Sequence, residues 1–109
     1  MAVAKLIVLY PMPKDLNAFE RSYADKHIPM AAPIFQAAGA TKAVLSKVSA
    51  APGTAPSYYR IAEIHFPSME VLQACAASQP GKDALAHAFE ISNGGPPTVL
   101  IGAEDVVTF

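Results

Sequence analysis

From Val3 to Tyr10 the chain is aliphatic at nearly every position, and Pro11 and Pro13 stop the run. An apolar, partly β-branched segment of this length bounded by prolines is a strand. Lys5 is its only charge, so both of its faces are apolar. Such a strand belongs to a sheet covered on both sides. A chain of 109 residues is expected to form one domain, 1–109, with few elements available to supply two covers.

Composition sharpens that demand. Hydrophobic residues make up 52% of the chain and charged ones 16%, against ~25% charged in an average soluble domain. So little charge on so small a domain predicts that part of its apolar surface meets a second copy, a homodimer being the simplest case. The net charge of −1, with Lys and Arg scattered singly, offers no basic patch for nucleic acid and no polybasic membrane anchor. Leu6 to Tyr10 is too short for a signal-peptide core or a membrane span. The single cysteine, Cys75, excludes an internal disulfide and suits a reducing compartment. A cytoplasmic location is the expectation.

After a turn at 11–15, capped by Asp15 or Asn17, apolar residues recur at Leu16, Phe19 and Tyr23 with helical spacing, continuing towards His27. Pro29 follows, and a helix cannot pass an interior proline without losing a hydrogen bond, which predicts a kink or short break just past His27. A second segment runs through Pro33 to about Ala38 and ends at Gly39, a helix-terminating residue. Thr41 to Ser49 reads as a more exposed strand, 50–57 as a loop, and Tyr58 to Phe66 as the strongest strand. By alternation, Tyr58, Arg60, Ala62, Ile64 and Phe66 share one face, and Tyr59, Ile61, Glu63 and His65 the other. Ser68 caps a helix to about Ser78, and Pro80 opens another to about Ile91. Thr98 to Phe109 reads as the last strand. The order β-α-β-β-α-β is the split arrangement of a ferredoxin-like α+β fold. Its four-stranded antiparallel sheet carries helices on one face, so the other face is expected to meet a second sheet across a dimer.

The chain has no P-loop or Rossmann glycine loop, no G-x-S-x-G, no H-E-x-x-H and no C-x-x-C pair. His87 and Glu90 share a helix face but lack a third ligand for a metal, and Asp83 with His87 fits a solvated i, i+4 pair. The chemistry falls to a few groups. Tyr23 and His27 share a helix face, and Tyr59, Glu63 and His65 share a strand face. A carboxylate beside a histidine tunes its proton affinity, and a tyrosine donates to a developing oxyanion. Each group also has a structural reading. His27 would be a helix-end histidine bonded to freed carbonyls, Glu63 and His65 would pair across strands with Lys or Arg, and Tyr10 would be a core-edge phenol reaching water. Met12, Met30 and Met69 would line an adaptable pocket or merely fill space. Cys75, among apolar neighbours, reads as an inert buried thiol.

Leu9-Tyr10-Pro11-x-Pro13, leading into Asp15, Phe19 and Tyr23-x-x-x-His27-x-Pro29-Met30, resembles the EthD family. So do Pro56-x-Tyr58-x-x-Ile61-Ala62-Glu63-Ile64-x-Phe66, the helix start Ser68-Met69-Glu70-x-Leu72, and Asn93-x-Gly95. The resemblance spans essentially the whole chain. It implies a dimeric α+β barrel with a ferredoxin-like protomer, from a family associated with ethyl tert-butyl ether degradation beside an oxygenase system. His27, Tyr23 and Glu63 match the family's motif residues, whereas Ser22 stands where the family often has a second aromatic, which implies a roomier pocket or a different ligand. The resemblance points to a small hydrophobic metabolite handled without cofactor or metal by an oxidoreductase or isomerase-like activity. His27 and Glu63 would be catalytic, and Tyr23, Met30, Tyr10 and Tyr59 would contact the ligand. The alternatives are a non-catalytic carrier, a haem-associated protein with His27 as axial ligand, and a dimeric scaffold with a filled interior.

Overall fold

The first strand, β1 (Val3–Pro11), buries Ala4, Leu6, Val8 and Tyr10 on one face and leaves Val3, Lys5, Ile7 and Leu9 half-exposed on the other. The computed structural model, which describes residues 3–54 and 56–109, sets β1 at the centre of a sheet. The strands lie in the order β2-β3-β1-β4, with β2 (Lys42–Lys47), β3 (Tyr58–Phe66) and β4 (Thr98–Glu104), every neighbouring pair antiparallel. Helices α1 (Leu16–Ser22), α2 (Ile28–Ala37), α3 (Met69–Ala77) and α4 (Gln79–Ile91) accompany the sheet. The molecule is only 19 Å through its thinnest dimension, room for one sheet and one helical layer at ~10 Å each. The fold is ferredoxin-like α+β, as the order of elements predicts.

Local chemistry sets the boundaries. Of the two candidate caps, Asp15 closes α1 by accepting the Ala18 N–H at 3.0 Å. Ser68 and Ser78 accept the Val71 and Gly81 N–H groups at the starts of α3 and α4, and Pro80 sits in the first turn of α4. Gly39 ends α2 with φ at +103°, a left-handed turn that suits glycine. At Gly81 any side chain would collide with the Cys75 carbonyl, which keeps the α3–α4 corner tight.

Three expectations change. Pro29 causes no break: the chain stays helical from Leu16 to Ala37 because Tyr23–His27 widens into a π-helical turn, in which the Ile28 N–H reaches back five residues to the Tyr23 carbonyl. The wider turn relieves the crowding that the Pro29 ring would impose on the turn before it. Second, β4 ends at Glu104 and 105–109 are irregular, with Val106, Val107 and Phe109 exposed. Third, strict alternation fails in β3. Tyr10 pairs with Arg60 but Pro11 with Tyr58, so Tyr59 is the extra residue of a β-bulge. Tyr59 is thereby turned into the helix-side core, edge-on to Phe19 with ring centroids 6.0 Å apart, and leaves the face that carries Glu63 and His65.

Candidate functional site

The helix-side core is a column of aromatic rings. Phe19 stacks on Tyr23 at 5.5 Å, Tyr23 on His27 at 5.9 Å, and Tyr10 from β1 meets all three edge-on. His27 closes the column at the end of the π-turn and is 8% exposed. Its Nε2 lies 3.4 Å from the Tyr10 hydroxyl, and its Nδ1 lies 2.9 Å from Nδ1 of His87 on α4. Burial first, and the adjacent His87 second, push the His27 imidazole down to about 4, so it is neutral at pH 7. Burial also raises the Tyr10 phenol above its ordinary value. Tyr10 is fully buried, and its hydroxyl turns inward to His27 rather than to water.

In front of this column lies an apolar cavity of about 60 Å³, lined by Tyr23, His27, Ile28, Ala31, Phe35 and Leu45 together with small side chains including Ala43 and Ala62. The alanines leave the space, and the exposed β2 edge leaves it uncapped by a helix. Phe35, Ala32, Ala43 and Ile64 also line an adjoining groove of about 260 Å³, whose rim carries Gln36, Thr41 and Lys42. Tyr23, one of the residues lining the cavity, has a buried hydroxyl with no hydrogen-bond partner among the described residues. Burial raises that phenol against the pull of Arg60, whose guanidinium lies over the Tyr23 ring at 5.1 Å. Arg60 is itself held by Glu20 in a two-pronged pair at 2.9 and 3.3 Å, which keeps the Glu20 carboxyl below its usual range.

The sequence candidates therefore divide. Tyr23 and His27 share the cavity, Tyr10 stands behind His27, and Tyr59 lies deeper beside Phe19. Met30 is not among the cavity-lining side chains. Glu63 projects from the opposite face of the sheet, since its partners Ile7 and Val44 alternate with the helix-side residues of their strands. The sheet thus separates Glu63 from His27 within one protomer. On that open face Lys5 bridges Glu63 at 3.3 Å and Glu104 at 3.4 Å, with the buried His65 ring 3.9 and 3.8 Å from the same two carboxylates. Glu63 does pair across strands with a lysine, at the centre of the face rather than its rim.

His87 is the residue that spacing alone assigned elsewhere. Asp83 bonds Gln79 at 2.8 Å, leaving His87 free to turn inward. The signal is present in hindsight: Ala84, His87, Ala88 and Ile91 form an i, i+3, i+4, i+7 stripe, three members of which are buried. Cys75 is buried and its thiol is pushed up by that burial, as an inert thiol should be. Among the described residues no group of three His, Cys, Asp or Glu side chains could hold a metal ion, and no helix is long and apolar enough to cross a membrane.

Sheet order, helical layer and site define a ferredoxin-like α+β protein with a histidine-bearing apolar cavity. The EthD domain model matches residues 13–88, and the chain belongs to the EthD family. An uncharacterized 11.0 kDa protein from the thcB-thcC intergenic region of Rhodococcus erythropolis is 28% identical over 103 residues, covering 94% of this chain and 96% of that protein. Among solved structures, an ethyl tert-butyl ether d (EthD) family protein of Bacillus halodurans superposes with a TM-score of 0.84 at 28% identity, over 96% of this chain and all of the other. A dimeric ferredoxin-like protein of unknown function from Jannaschia sp. superposes with a TM-score of 0.68 at 15% identity, over 97% of this chain and all of the other, a likeness of fold.

Proposed function

We propose that the whole chain acts as one domain that binds a small hydrophobic metabolite and moves a proton on it, with His27 as the donor or acceptor and no cofactor. The observation that carries this reading is a buried, neutral imidazole opening on an apolar cavity beside an unpartnered phenol. A neutral imidazole at pH 7 can accept a proton as it stands, and a dry cavity strengthens each polar contact made inside it. The inner cavity fits a small branched apolar group, and the adjoining groove takes the remainder of the molecule. In this family an ether or a related xenobiotic is the natural candidate, which makes an ancillary part in its degradation the corresponding role. A haem reading fits poorly, because a cavity of about 60 Å³ has no room for a porphyrin.

In the same proposal the protein is a homodimer joined through its open sheet face, closing an α+β barrel. Ile7, Leu9, Val44, Ile61 and Leu100 leave that face apolar around a self-contained charge cluster, and Val44 and Leu100 are exposed in the lone chain. A solved relative of this fold is dimeric. Glu63 then belongs to the interface or to a barrel interior shared by both protomers, where it could serve the site only from the far side of its own sheet.

A native mass spectrum of gently purified protein, wild type beside His27→Ala, tests both parts. The expected result is a dimer carrying a small apolar adduct that the variant loses. A monomer would overturn the barrel. A dimer free of adduct in both proteins, also after incubation with ethyl tert-butyl ether, would overturn the ligand site.

A further inference from the structure

We infer that the ligand of the cavity is an anion, a small branched apolar group joined to a carboxylate or a comparable anionic oxygen, received by Arg60 and Lys47. The inference rests on the ligand-binding reading above and narrows it to one class of molecule.

The register of β2 on β3 lays out the floor of the site in rows. Ala43 pairs with Ile64 and Leu45 with Ala62, and all four line the cavity. The next row on the same face, about 7 Å further along the strands, is Lys47 beside Arg60. The adjoining groove shares the row of Ala43 and Ile64, so the two cations stand at the opposite end. An apolar floor thus finishes in positive charge.

Both cations lean over the aromatic core. The Arg60 guanidinium lies 5.1 Å from the centre of the Tyr23 ring, and the Lys47 ammonium 5.8 Å from the centre of the Tyr59 ring. Among the described residues the one carboxylate paired with either of them is Glu20, which takes Nε and Nη2 of Arg60. Two positive charges against one negative leave an excess of one, beside an apolar space that screens charge weakly. Nη1 of Arg60 makes no hydrogen bond to the described residues. Because Glu20 holds the Nε edge of a planar group, the N–H groups of Nη1 point away from that carboxylate. Tyr23, which lines the cavity under this guanidinium, has its buried hydroxyl without a partner. A buried hydroxyl left unpaired is costly, and a ligand oxygen supplies the acceptor it lacks. A neutral ether or alcohol oxygen would satisfy that hydroxyl and leave the excess charge uncompensated; an anionic oxygen answers both.

The test uses trimethylacetate, whose branched carbon group suits a cavity of about 60 Å³, beside trimethylacetamide, a neutral molecule of the same shape. Each is titrated into nitrogen-15-labelled protein at pH 7 while the backbone NMR signals of Ala43, Leu45 and Ala62 are followed. The wild type is expected to bind the acid about tenfold or more tightly than the amide, the scale of charge-assisted hydrogen bonds. Arg60→Gln should erase the preference while the amide still binds. Lys47→Gln, on the exposed edge strand, leaves the Arg60–Glu20 pair in place and should reduce the preference by a smaller factor. Equal affinities for acid and amide in the wild type would overturn the inference and leave the apolar site standing. A preference that survives both substitutions would put the anion elsewhere, and overturns it as well. Binding of neither molecule would remove the ligand site itself, and this inference with it.

Discussion

Two histidines are buried in this molecule, one on each side of the sheet, and they are handled in opposite ways. His27 lies among phenyl and phenol rings on the helix side, where its polar neighbours are a tyrosine hydroxyl and another imidazole. His65, 5% exposed, lies on the open side between the Glu63 and Glu104 carboxylates, with Lys5 bridging both. One environment disfavours the charged ring through burial and offers it no counter-charge; the other surrounds the ring with full charges of both signs. Burial by itself therefore says little about a histidine's role. The helix side holds an uncharged ring beside neutral polar partners, and the open side satisfies charge in an apolar surface.

The largest expected effect breaks the helix side. Phe19 is 1% exposed and touches the rings of Tyr10, Tyr23 and Tyr59. Phe19→Ala should cost about 3–5 kcal/mol, the range for emptying an aromatic site in a packed core, read as a lower urea midpoint. A loss below about 1 kcal/mol would mean that the ring column is not the core of the fold.

The next effect is a pH dependence. His27 has an ordinary value of 6.5 and a folded value of about 4, so between those limits the unfolded chain binds the extra proton. Stability from this group is complete above pH 6.5, falls as the pH is lowered towards 4, and is constant below that. At ~1.4 kcal/mol per pH unit the total comes to roughly 3 kcal/mol. Because other groups titrate in the same range, the measurement is the difference between wild type and His27→Phe, whose stability curve should be flatter between pH 6.5 and 4. Parallel curves would show that His27 is no more reluctant to take a proton than in the unfolded chain, and the contrast with His65 would lose its basis.

How far these two sides could be read from sequence depends on the range of the interaction. Signals within one turn or one strand were legible: the proline-bounded β1, the Ser68 cap, Pro80 at a helix start and Gly39 at a helix end. So was the Tyr23–His27 pairing, because both residues ride on one helical segment. What failed depended on partners remote in sequence. Tyr59 leaves its alternating face only because β1 takes one residue fewer past Arg60. His87 turns inward only because α4 packs where His27 is waiting, 60 positions earlier in the chain. Pro29 pointed to an irregularity just past His27, whereas the helix widens just before that point; whether the strain ends in a break or a π-turn depends on packing that holds α1 and α2 together, and Tyr23 and His27 in that turn are both buried.

The smallest effect is expected on the open side, and its size sharpens the comparison. The Lys5 and Glu63 side chains keep 23% and 29% of their exposure in the lone chain, and half-exposed pairs of this kind contribute about 0.2–1 kcal/mol, less in salt. In the dissociated chain Glu63→Gln should therefore lower stability by no more than about 1 kcal/mol, and the difference should fade as salt is added. The proposed dimer would change the arithmetic without changing the chain. A second sheet laid over this face would remove water from the cluster, so losing one of the two carboxylates that hold Lys5 would be felt more strongly there than in the water-exposed chain. Glu63→Gln should accordingly weaken dimerisation more than it weakens folding, seen as a shift in the sedimentation profile with protein concentration. A dissociated chain destabilised as much by Glu63→Gln as by acid at His27 would mean that the two faces are equally dry before any partner arrives, and the open face would need no second copy to cover it.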